Sequence, residues 1–95
     1  MKIRWTKPAI QALESIQDYI VQDNRHAAYE VAQKIHEMVK RLREYPQLGR
    51  PGRVRGTLEL VIPGLPYIVP YRVKKGEVHI LTVFHTSRKW PQDFE

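Results

Sequence analysis

The sequence predicts an α+β fold: an N-terminal strand, an antiparallel helical hairpin and a three-stranded antiparallel meander, joined in one sheet with both helices on one face. Apolar residues recur at three- and four-residue intervals from Ala9 to Tyr45. The period then falls to two over three segments between Thr57 and Phe84 that are rich in β-branched and aromatic residues. Pro and Gly clusters separate those segments. With 95 residues and no compositional boundary, residues 1–95 read as a single domain with one modest core.

Met1 to Trp5 alternate as a short strand does, with Met1, Ile3 and Trp5 on one side and Lys2 and Arg4 on the other. Thr6 offers a hydroxyl N-cap, and Pro8 sits early enough in the first turn to cost no hydrogen bond. The first helix carries the stripe Ala9, Leu13, Ile16 and Ile20 and breaks at Asp23-Asn24. A second helix from about Arg25 carries Ala28, Val31, Ile35, Met38, Leu42 and Tyr45, and Pro46 ends it. The short link makes the pair an antiparallel hairpin.

The meander strands are Thr57 to Ile62, Tyr67 to Val73 and Val78 to Phe84. Pro70 removes a donor from the middle strand, which predicts a local bulge. If Val73 faces Val78, one side holds Tyr67, Val69, Tyr71, Val73, Val78, Ile80 and Phe84, the core face under the helices. The other side then holds Ile68, Pro70, Arg72, His79, Leu81, Val83 and His85. If Ile62 faces Tyr67, Glu59 joins that second face diagonal to Arg72, near the loop of Arg53 and Arg55. His85 would lie on the order of 20 Å from Arg72 at ~3.3 Å per residue.

Lys and Arg number 16 against 10 Asp and Glu, for a net charge of +6. The excess is uneven, with eight basic and six acidic residues up to Tyr45 and eight and four after it. A basic C-terminal half favours encounter with nucleic acid, an acidic membrane face or an acidic protein. The chain has no cysteine, which excludes disulfides, thiolate catalysis and cysteine-based zinc sites. His26, His36, His79 and His85 show no metal spacing, and no cofactor is expected. No apolar run approaches a membrane span and no signal peptide is evident, so a cytoplasmic protein is expected.

The candidate functional groups lie between Gly49 and Pro91. Arg50, Arg53 and Arg55 form a basic loop in which Gly49, Gly52 and Gly56 suggest backbone placed close to a partner. Glu59 and Arg72 read either as functional groups or as a cross-strand ion pair on a solvated face. His85 reads either as functional or as a hydrogen-bonded strand-end histidine, and Trp90 as a contact residue or as a pin for the tail.

The order of Trp5-Thr6-Lys7-Pro8-Ala9, Tyr45-Pro46-Gln47-Leu48-Gly49-Arg50, Glu59-Leu60-Val61-Ile62, Pro66 to Val73 and His85-Thr86-Ser87-Arg88 resembles the ParE/RelE superfamily of toxins from bacterial type II toxin-antitoxin systems. The resemblance covers nearly the whole chain. It implies a small toxin of the plasmid-stabilisation type, held in a hetero-oligomer by a cognate antitoxin whose C-terminal segment wraps over it.

The superfamily implies two chemistries. One branch cuts messenger RNA on the ribosome with the RNA's own 2′-hydroxyl as nucleophile, and here would use Glu59 as base, Arg53, Arg55 and Arg72 to brace the phosphate and His85 as acid. The other poisons DNA gyrase and has no known active site of its own. Ribonuclease members usually carry an arginine near the start of the third strand, where this chain has Tyr67 and Ile68, and a catalytic group at the far C-terminus. The reading therefore leans to the gyrase branch and away from an enzyme, with Arg50, Arg53, Arg55, Arg72, His85, Arg88 and Trp90 as target-binding residues.

Ile68, Leu81 and Val83 are expected to form an exposed apolar patch for the antitoxin, so that Leu81→Asp would weaken that contact and spare the fold. A basic nucleic-acid-binding module is the further alternative, favoured by strong DNA binding with a steep salt dependence, although no recognition helix or paired aromatic motif is present.

Overall fold

The computed structural model describes residues 1–87. Strand β1 (Lys2–Trp5) leads into helix α1 (Lys7–Val21); helix α2 (Arg25–Lys40) follows and tightens into a 3-10 turn at Arg41–Arg43. The remaining strands are β2 (Arg50–Pro51), β3 (Leu58–Val61), β4 (Tyr67–Lys74), β5 (Glu77–Ile80) and β6 (Phe84–His85). They form one sheet in the order β1-β5-β4-β3-β2, with β6 also pairing with β4. β1 runs parallel to β5, and every other pairing is antiparallel.

Thr6 joins strand, helix and sheet. Its hydroxyl accepts the N–H of Ala9 at 3.3 Å as the α1 N-cap and donates to the Ile80 carbonyl at 2.7 Å, while its own N–H reaches the same carbonyl at 3.1 Å. Thr6→Ala removes every contact of this hydroxyl and is expected to cost about 1–2 kcal/mol, read as a lower urea midpoint with an unchanged m-value. Asn24 caps α2 in the same manner, its Oδ1 accepting from Ala27 N–H at 3.0 Å.

Both helices bury one stripe against the sheet. Ala9 and Leu13 from α1 and Ile35, Val39 and Leu42 from α2 and its turn pack on Leu60, Ile62, Tyr67, Val69, Tyr71, Val78, Ile80 and Val83. Tyr45 departs from the stripe expected for it and is 56% exposed. The chain winds at roughly three residues per turn through Arg41–Arg43 rather than 3.6, which rotates the apolar row before it reaches Tyr45.

The register agrees with the turn-based reading at both hairpins. Val73 pairs with Val78, and the Ile62 N–H donates to the Tyr67 carbonyl at 3.1 Å. Lys75 and Gly76, both at positive φ (53° and 73°), make the two-residue turn between β4 and β5.

A bulge lies opposite Pro70. Tyr71 pairs with Ile80, yet Ile68 pairs with Phe84, one residue later than constant register allows. The Pro70 carbonyl accepts Leu81 N–H at 2.9 Å, but the proline has no N–H to return; the Leu81 carbonyl is met instead by the Thr6 hydroxyl at 3.3 Å. The extra residue sits on the partner strand, and it exchanges the faces of everything after it. Val83 therefore belongs to the helix-side core, Phe84 shares the second face with Ile68, and His85 moves to the Tyr67 side.

Candidate functional site

The basic loop is organised by Glu59, which is 7% exposed. Its Oε1 lies 3.0 Å from Arg50 Nε, and its Oε2 accepts the N–H of Arg53 at 3.3 Å. The guanidinium of Arg50, its direct partner across β2 and β3, meets Glu59 at this point. The loop closes on itself through Gly52 N–H to the Thr57 carbonyl at 2.8 Å and Thr57 N–H to the Val54 carbonyl at 3.1 Å. Arg53 and Arg55 are left exposed at its tip.

Tyr71 supplies the anchor that sequence reasoning missed. Fully buried, it donates its hydroxyl proton to the Pro46 carbonyl at 2.7 Å and accepts Gly49 N–H at 2.9 Å. Burial pushes the phenol above its ordinary pKa, with the Gly49 N–H pulling the other way. A Cβ at position 49 would stand 2.7 Å from Tyr71 Cε1 and 2.8 Å from the Glu59 carbonyl oxygen, and one at position 52 would collide with Thr57. These two glycines thus answer to close packing within the chain itself. Tyr71 and Glu59 together fix where the arginines stand.

Arg72 lies on the second sheet face, opposite His79 of β5, which in turn is opposite Arg4 of β1. His85 lies on the other face, its ring edge-on to Tyr67 with centroids 5.5 Å apart. Its Nδ1 accepts Ser87 N–H at 3.1 Å and lies 2.7 Å from Ser87 Oγ, which leaves the ring proton to Nε2. Since His85 pairs with Tyr67, five residues from Arg72 along β4, the two are about 16 Å apart at ~3.3 Å per residue. The structure brings Arg50, Arg53 and Glu59 together and leaves His85 apart from them.

The expected apolar patch is absent from the surface. Ile68 is 8% exposed, Leu81 5% and Val83 4%, the last within the main core because of the bulge. Arg88 and Trp90 lie outside the described residues. Among the described residues no three His, Asp or Glu side chains gather as metal ligands, and no helix is long and apolar enough to cross a membrane. Two hollows, one lined by Glu14, Asp18, Val21, Arg25 and Tyr29 and one by Tyr45, Pro46 and Leu48, contain none of the predicted site residues.

Comparison with known proteins bears on this arrangement. The family described as the ParE toxin of type II toxin-antitoxin systems, parDE, matches residues 3–90. A Sinorhizobium fredii protein named "Putative toxin Y4kP" is 47% identical over 91 residues, covering 96% of this chain and 94% of the relative. Toxin RelE2 of Caulobacter vibrioides is 34% identical over 87 residues, covering 92% and 97%. Among solved structures, a chain of the chromosomal ParDE TA system from P. aeruginosa superposes with a TM-score of 0.81 at 34% identity, over 90% of this chain and 95% of that one. The same succession of strand, helical hairpin and sheet, matched in sequence almost from end to end, makes this chain a member of the ParE toxin family of type II toxin-antitoxin systems.

Proposed function

We propose that this toxin inhibits growth by poisoning DNA gyrase and is neutralised in a hetero-oligomer with a cognate antitoxin. The observation that carries the reading is the separation of the groups an RNA-cleaving site would need. Glu59 is nearly buried with both oxygens engaged, and His85 stands about 16 Å from Arg72 on the opposite face of the sheet. A base must reach the proton it removes, and an acid the oxygen it protonates. A protein-binding surface has no such requirement, and the exposed Arg53 and Arg55 on a braced loop suit one.

An antitoxin partner is supported by the likeness to a chain from a ParDE system. Its contact passes from the buried Ile68, Leu81 and Val83 to groups that the fold leaves open, such as Tyr19, Val21 and Tyr29 at the turn end of the helical hairpin, which are 73%, 42% and 62% exposed.

The test is a gyrase supercoiling assay run beside a ribosome-dependent RNA cleavage assay. Inhibition of supercoiling is expected, and Arg53→Glu with Arg55→Glu is expected to raise the half-inhibitory concentration at least ~10-fold while leaving the circular dichroism spectrum unchanged. Cleavage of ribosome-bound message with gyrase unaffected would transfer the chain to the ribonuclease branch.

A further inference from the structure

We propose that the helix-free face of the sheet bears an anion-binding surface, a cationic band across β1, β5 and β4 that takes the phosphate backbone of duplex DNA. It follows from the register. Arg4, His79 and Arg72 are direct cross-strand partners and form one row; Lys2, Glu77 and Lys74 form the next. All six point away from the helices, because the intervening Ile3, Trp5, Val73, Val78 and Ile80 pack into or against the helix-side core. At ~4.8 Å between strands, the first row runs about 10 Å from Arg4 to Arg72. β3 and the Arg53–Arg55 loop lie beyond it.

The side chains are placed to meet a ligand. Arg4 is 63% exposed, and Lys2, Lys74 and Lys75 are exposed. Glu77 is the one acid in the two rows, 3.0 Å from His79 Nε2 and 3.8 Å from Arg4. The hydrogen bond from His79, with Arg4 and Lys2 nearby, holds its carboxyl below the ordinary value, so it stays charged and subtracts from the band at neutral pH.

The composition of the rows selects the partner. A protein interface centres on buried apolar and aromatic groups, and these rows hold none. Single-stranded nucleic acid is gripped by aromatic stacking, whereas among the described residues the exposed aromatics Tyr19, Tyr29 and Tyr45 lie on the helices or just after them. A duplex backbone needs only cations set at intervals on a broad surface. The proposal rests on the sheet register and not on the gyrase reading, since it concerns the toxin and DNA alone.

Fluorescence anisotropy of the intact chain with a labelled duplex of about 20 base pairs, between roughly 50 and 200 mM salt, tests it. Arg4→Gln and Lys74→Gln are each expected to weaken binding about 3- to 10-fold and to reduce the slope of log K against log salt by about 1. Glu77→Gln is expected to tighten binding several-fold. Unfolding midpoints recorded for each variant separate these effects from loss of fold. Affinities of the Arg4 and Lys74 variants equal to that of the unsubstituted chain would overturn the proposal, as would a neutral Glu77→Gln. Preference for single-stranded RNA or for polyglutamate over the duplex would overturn it equally.

Discussion

Replacing Leu81 with aspartate is expected to cost the isolated chain about 3–5 kcal/mol, a large part of the stability of so small a domain. Leu81 is 5% exposed, its N–H is committed to the Pro70 carbonyl, and Ile68 and Phe84 beside it on the same face are each only 8% exposed. A carboxylate there loses its hydration, while the leucine's burial is forfeited as well. Val61→Asp is the matched control. Val61 pairs with Ile68 on the same face but is 44% exposed, so its replacement is expected to cost less than about 1 kcal/mol. Urea unfolding of both variants decides the matter. Equal and small losses would mean that Leu81 is open to solvent, as the sequence alone suggests.

That contrast shows where the sequence was legible and where it was not. The helices, the three meander strands and the pairing of Val73 with Val78 follow from short-range information, namely apolar spacing, caps and turn residues. Pro70 announced a bulge through its missing donor, but nothing in a proline says which strand absorbs the extra residue. Because strand periodicity is two, that one residue reversed the faces of Val83, Phe84 and His85 and moved Val83 from a docking patch into the core. β2 escaped notice because two residues, one of them a proline, carry no period at all. The pairing of Arg50 with Glu59 depends on a loop fastened by Tyr71, whose partners Gly49 and Pro46 lie 22 and 25 positions away. Alternation reports that Tyr71 points inward, and it is silent on what the hydroxyl meets there.

Tyr71→Phe is accordingly the variant that should couple stability to the basic loop. Loss of one oxygen leaves the Pro46 carbonyl and the Gly49 N–H without their partner in a buried setting, which is expected to cost about 2–3 kcal/mol, or on the order of 10 °C in Tm. The released segment also carries Arg50, so trypsin is expected to cut after Arg53 and Arg55 several-fold faster than in the unsubstituted toxin. An alkaline titration gives an independent reading. Burial raises the phenol's pKa in the folded state, so as pH climbs past the ordinary tyrosine value of 10.0 the unfolded chain releases its proton first. Stability present below that value therefore declines as pH rises through the folded-state pKa. The phenylalanine variant lacks this contribution and should lose less over the same interval. Unchanged proteolysis together with an unchanged alkaline slope would show that the hydroxyl fills space without holding the loop, and the placement of Arg53 and Arg55 would then have to come from Glu59 alone.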